Sequence, residues 1–135
     1  RGNGTNQGYY TTATIFTSVA SVESRAKEEL FGPVVVMIPY QDEDEAVRMA
    51  NDTVYGLAAG IWTQDVNKAI RLADRIQAGT VYINNYFNAA TQSPVGGFKQ
   101  SGYGREAGFE GMRCFMQTKS VWLATNPSQP DPFPA

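Results

Sequence analysis

The densest chemistry in this chain of 135 residues lies in one stretch, Pro94-Val95-Gly96-Gly97-Phe98-Lys99-Gln100-Ser101-Gly102-Tyr103-Gly104-Arg105-Glu106. Four glycines, two cations and a closing carboxylate describe backbone shaped around something, because glycine alone reaches positive φ and close approach without steric cost. An ordinary turn needs one or two glycines. The surplus implies a loop fixed against a ligand, another chain segment or a helix start. Two phosphate-binding patterns fail on it. A Walker-type loop needs Lys and Ser or Thr directly after its last glycine, whereas Tyr103 and Gly104 follow Gly102. Gly102, Gly104 and Ala107 have the spacing of a dinucleotide fingerprint. No strand precedes them, however, and no acidic residue stands about 20 positions on to hold a ribose.

Other candidate groups thin out quickly. Asp42-Glu43-Asp44-Glu45 suggests calcium, but the glycine that such a loop needs at its sixth position is missing, so a helix start is the better reading. The chain has no histidine and one cysteine, which removes imidazole as base or ligand, excludes an internal disulfide and leaves no zinc site. Cys114, in Met112-Arg113-Cys114-Phe115-Met116, reads as a core filler. Hydrophobic residues make up 42%, charged residues 18%, and the net charge is -2. That balance indicates neither disorder nor a nucleic-acid surface. No run approaches the ~18 apolar residues of a membrane span, and no signal peptide opens the chain. A lone cysteine fits a reducing, cytoplasmic setting.

The elements that must position these groups alternate along the chain. Val34 to Pro39 is an apolar run closed by proline, the pattern of a strand buried on both faces. Asp42 and Glu45 are spaced as a capping box, and Ala46, Val47, Met49 and Ala50 recur at helical spacing. Ala58 to Trp62 reads as a second strand. Val66, Ala69, Ile70, Ala73 and Ile76 form one stripe of the next helix, with Gly79 placed for a left-handed cap. Thr80 to Ile83 makes a third strand, and the order predicts an α/β fold of parallel βαβ units covered on both faces. Thr118 to Ala124 reads as a last strand, and residues 126–135, with four of the seven prolines, as an extended, mobile tail.

At this point the residues carry a resemblance. The Pro94–Glu106 stretch resembles the C-terminal signature of the NAD(P)-dependent aldehyde dehydrogenases, Pro-Phe-Gly-Gly-x-Lys-x-Ser-Gly-x-Gly-Arg-Glu. Three further segments agree in order and spacing. Glu28-Glu29-Leu30-Phe31-Gly32-Pro33-Val34 is similar to the family's Glu-Glu-Ile-Phe-Gly-Pro-Val, and residues 50–59 to Ala-Asn-x-Thr-x-Tyr-Gly-Leu-x-Ala. Residues 78–84 are similar to Ala-Gly-Thr-Val-x-Val-Asn. Family polypeptides run to roughly five hundred residues, several domains by the usual length prior. The resemblance therefore implies a fragment, about the last quarter: residues 1–117 as part of a parallel three-layer αβα catalytic domain, 118–125 as an oligomerisation strand, 126–135 as a tail. Residues 8–16 resemble a mid-domain segment that usually carries proline where Ala13 stands.

The resemblance also implies roles. Glu29 would accept hydrogen bonds from the ribose hydroxyls of NAD or NADP, and Phe31 would lie against the nicotinamide. From the residues alone, Glu29 reads as a solvated carboxylate and Phe31 as core packing. Gly32 would allow the turn there and Pro33 stiffen it. Glu106 would relay protons from the catalytic base, a role that suits a glutamate partly withdrawn from water; a structural ion pair is the alternative. Lys99 and Arg105 read as fasteners of the loop to carboxylates or carbonyls.

The stretch Asn85–Pro94 departs most from family habit. It would wall the substrate tunnel, and Ala89 and Val95 stand where aromatic side chains are common while Phe87 fills a usually smaller place. The implied tunnel is wider near Ala89 and Val95 and favours bulky or branched aldehydes; the alternative is that these residues only pack the loop. The family reaction needs a cysteine thiolate that forms a thioester and a general-base glutamate. Both belong to motifs upstream of Arg1, so the chain alone is expected to be inert. The family's last strand extends a neighbouring subunit's sheet, which implies a homodimer or homotetramer through residues 118–125; from the residues alone an intramolecular edge strand is the alternative. A reading of another class stays open: a stand-alone binding or assembly module without the chemistry.

Overall fold

The structure is a computed structural model and describes residues 8–20 and 23–125. In chain order it has β1 (Thr14–Phe16), α1 (Ser24–Lys27), β2 (Val34–Val36), α2 (Glu43–Asn51), β3 (Ala58–Ile61), α3 (Val66–Arg75), β4 (Thr80–Ile83), a 3-10 turn (Lys99–Ser101) and α4 (Gly108–Arg113). Both ladders are parallel. Thr14 stands opposite Val34 in the β1–β2 pair, and Ala58 opposite Thr80 in the β3–β4 pair. They remain two separate two-stranded sheets.

α2 begins where Asp42 Oδ1 accepts from the Glu45 N–H at 2.8 Å. Glu45 Oε2 in turn accepts from the Gln41 N–H at 2.7 Å, one residue earlier than a capping box requires. Asp65 caps α3 in the same way through the Lys68 N–H at 3.1 Å. The acidic run thus serves the helix: Glu43 pairs with Lys68 at 2.9 Å and Arg71 at 3.5 Å, and Asp44 with Arg75 at 2.6 Å, tying α2 to α3. Val47, Ile61 and Leu72 form the buried cluster, with Ala73, Ile76 and Val81 packed against it.

Several sequence expectations need correction. Val66 and Ile70 do not share the core stripe of α3. Ala69 and Leu72 are buried, whereas Val66 is 69% exposed, because the first turn of the helix overhangs an open groove lined also by Trp62 and Ile83. Gly79 forms no left-handed cap. α3 ends on Ile76 in extended backbone, and Gly79 is required because a Cβ there would stand 1.6 Å from the Gly96 carbonyl oxygen. β2 is shorter than the apolar run and is not buried on both faces; Val35 is 57% exposed, since among the described strands β1 and β2 pair only with each other. Cys114 fills no core. It is exposed beyond α4, a helix whose one buried residue is Gly111.

Residues 118–124 form no ladder with any described strand, and Trp122 is 94% exposed. A strand needs a neighbour's donors and acceptors, and this segment has none within the described chain. Arg1 and the proline-rich tail at 126–135 lie outside the described residues.

Candidate functional site

The glycine-rich loop is fixed against another segment of its own chain. Its neck is closed by an antiparallel bridge in which Val95 and Glu106 exchange two backbone hydrogen bonds of 2.8 Å. Its body is laced to residues 51–56. Lys99 Nζ donates to the carbonyls of Asn51 at 2.7 Å and Thr53 at 3.1 Å. The Gln100 N–H donates to Val54 at 2.9 Å and the Phe98 N–H to Gly56 at 2.8 Å. The Gly56 N–H donates to Ser101 Oγ at 2.9 Å. Arg105 Nη1 donates to the carbonyls of Gly97 at 3.2 Å and Gly104 at 2.6 Å, with its guanidinium 5.4 Å from the Phe98 ring centroid. Both cations therefore fasten the loop to carbonyls, one of the two kinds of partner expected of them. Gly104 at φ +78° supplies the left-handed turn.

This lacing forms one wall of an open cleft of about 510 Å³. Lys27, Glu28 and Glu29 line one side, and Tyr55, Leu57, Gln100 and Ser101 the other. Glu29 is exposed. Two residues on, Phe31 is 98% exposed rather than packed, so core packing within this chain does not account for it. Gly32 takes no left-handed conformation; the turn is made by the Val34 N–H donating to the Gly32 carbonyl at 2.8 Å. The donor set suits a nucleotide sugar: a carboxylate accepts from neighbouring hydroxyls, and Ser101, whose oxygen already accepts from Gly56, keeps its O–H to donate.

A second, apolar cleft of about 270 Å³ adjoins the first. Leu57, Ala58, Thr80, Tyr82, Tyr86, Phe87 and Val95 line it. Phe87 and Val95 thus come together, whereas Ala89 is exposed outside that lining. Phe87 holds φ +64°, a left-handed backbone that a bulky residue rarely adopts, and its ring meets Tyr86 edge-on at 5.4 Å. Glu106 sits at the loop neck with its side chain exposed rather than withdrawn from water. Leu57 belongs to both clefts. The sequence reading passed over it, along with Tyr55, Gln100 and Ser101. The available signal was their position inside the matched motifs.

The family profile described as "Aldehyde dehydrogenase family" matches residues 1–121. The chain belongs to the aldehyde dehydrogenase family. An aldehyde dehydrogenase from Emericella nidulans is 49% identical over 116 residues, 86% of this chain and 23% of its own length. "Aldehyde dehydrogenase, cytosolic 1" of Macroscelides proboscideus is 46% identical over 118 residues, 87% of this chain and 24% of its own. Among solved structures, Mycobacterium tuberculosis aldehyde dehydrogenase complexed with NAD+ is similar with a TM-score of 0.85 at 45% identity, over 92% of this chain and 26% of that one. This aldehyde dehydrogenase chain therefore spans about a quarter of the length of these relatives. Among its described residues no helix is long and apolar enough to cross a membrane.

Proposed function

We propose that this chain supplies the cofactor-facing and substrate-facing walls of an enzyme that oxidises an aldehyde to its carboxylic acid with NAD(P)+. The observation that carries the reading is convergence. Residues from three motifs far apart in sequence, Glu29, Tyr55 with Leu57, and Gln100 with Ser101, line one cleft, and the adjoining cleft carries Phe87 and Val95. Glu29 binds the nicotinamide ribose and Phe31 offers its exposed ring to the nicotinamide. When bound, the dinucleotide supplies the hydride acceptor. The cysteine nucleophile, which forms the thioester, and the glutamate base lie on polypeptide outside this chain, and Glu106 relays protons from that base toward solvent. NAD+ is the favoured dinucleotide, in keeping with the M. tuberculosis relative named as its NAD+ complex.

Residues 118–125 add a strand to a second subunit, giving a homodimer or homotetramer; their exposed Val121, Trp122 and Leu123 support this. A cytoplasmic setting draws support from the relative named as cytosolic. In the full-length polypeptide, an aldehyde with NAD(P)+ should yield NAD(P)H, read at the dihydronicotinamide absorbance. Glu29→Gln should weaken NAD(P)+ binding by about tenfold to a hundredfold, the range for losing a hydrogen bond to a charged acceptor worth roughly 1.5–3 kcal/mol. A full-length protein that binds no dinucleotide and reduces none would instead be a non-catalytic module of the same fold.

A further inference from the structure

The cleft of Glu29 is built between two parts of the molecule that share no sheet. Glu29 follows α1 on the β1–β2 side, and its opposite wall comes from residues 55–57 and the glycine-rich loop on the β3–β4 side. Lys27 ends α1, two residues before Glu29, and its Nζ lies 2.7 Å from Oδ2 of Asp52, the residue that caps the C-terminus of α2. From Asp52 the chain runs directly into Thr53 and Val54, whose carbonyls the loop holds through Lys99 and Gln100. One ion pair therefore links the segment that carries Glu29 to the segment that carries Leu57, Gln100 and Ser101.

We propose that Lys27 and Asp52 form a clasp that sets the width of this cleft, both acting as positioning residues for dinucleotide binding. The proposal rests on the functional reading above and goes beyond it by assigning work to two residues that the cofactor need not touch. A different role for Lys27 has to be separated from this one, because Lys27 lines the cleft and a cation there attracts an anionic dinucleotide directly. The two accounts differ in sign at Asp52. By direct attraction, removing the Asp52 charge strengthens binding of an anion; by the clasp, removing it weakens binding, because Lys27 loses its anchor. The side chains are 34% and 59% exposed, so the effect is modest and screened by salt.

The test is NADH titration of the full-length polypeptide, followed by NADH fluorescence. At ~10 mM salt, Lys27→Met and Asp52→Asn are each expected to raise the Kd about twofold to fivefold, the range open to an exposed pair. Their difference from wild type should vanish near 1 M salt, where the screening length is ~3 Å. The charge-swapped double variant Lys27→Asp with Asp52→Lys should recover most of the lost affinity. Tighter or unchanged binding by Asp52→Asn, or a double variant no better than the singles, overturns the clasp; if Lys27→Met does not fold, the direction of the Asp52→Asn change decides alone. Wild-type protein that binds no NADH at all overturns the functional reading, and the clasp with it.

Discussion

Leu57 lines both clefts, so one side chain is shared by the cleft of Glu29 and the apolar cleft of Phe87 and Val95. Truncating it should open each cleft into the other. Leu57→Ala is expected to raise the Kd for NAD+ and the KM for aldehyde together, each by about tenfold, since lost apolar contact in a pocket is worth roughly 1–3 kcal/mol; steady-state kinetics with direct NAD+ titration separates the two. Val95 acts on one cleft only. Val95→Phe should lower kcat/KM for a branched aldehyde by about tenfold or more while leaving a two-carbon aldehyde nearly untouched. Wild-type turnover that falls steadily as the aldehyde grows would remove the basis for that expectation. At this scale a motif points to a position without fixing its surroundings: Glu29 lines a cleft, whereas Glu106 is exposed rather than withdrawn from water. Glu29 and Phe31 could be singled out from Glu28-Glu29-Leu30-Phe31-Gly32-Pro33, but the company of Glu29 could not. Ser101 and Gln100 reach its cleft only because Lys99 and the loop amides bond to residues 51–56, a contact between segments about 45 positions apart that no local pattern encodes.

The α2–α3 pair shows what holds the elements behind that wall. Glu43 on α2 faces Lys68 and Arg71 on α3. Its hydrogen bond with Lys68 holds the Glu43 carboxyl below its ordinary value of 4.5, and the same bond raises Lys68 above 10.5. A lowered carboxylate contributes stability that is present above pH 4.5 and is lost as pH falls through its folded value. A raised lysine contributes stability that is complete below pH 10.5 and is lost as pH rises through its folded value. The thermal midpoint of wild type minus that of Lys68→Met should therefore be flat between these limits and shrink beyond each; a difference that is constant down to pH 2 would contradict the assignment. Asp42→Ala, which removes the cap at the start of α2, should cost about 1 kcal/mol in urea unfolding. The cap was readable because it is made within four residues, and Thr80–Ile83 came out residue for residue because a turn signal precedes a β-branched run. The inner face of α3 was misread at Val66 and Ile70, since periodicity gives a stripe but not where the neighbouring strand ends. α4 was missed because Gly108 and Gly111 lower its helix propensity.

At the scale of the whole molecule, large apolar side chains among the described residues stand exposed at particular places: the outer side of β1 and β2 at Ile15 and Val35, the groove at Trp62 and Ile70, α4 and its continuation through Phe115, and the segment at Trp122. The chain covers about a quarter of the length of its aldehyde dehydrogenase relatives, and a doubly covered parallel sheet buries faces of this kind under further elements. The sequence announced the fold class through its alternating elements. It could not show which apolar faces stay open, because hydropathy does not distinguish a side chain buried by its own chain from one buried by another. The 135-residue chain produced alone is therefore expected to bind an apolar dye such as ANS strongly and to sediment as associated species, because its small cluster of Val47, Ile61 and Leu72 leaves the outer faces seeking cover. Within the full-length polypeptide the same faces should be silent to the dye. If the isolated chain is a dye-silent monomer with a cooperative unfolding transition, these surfaces are stable in water by themselves, and the case for their being covered by further polypeptide fails.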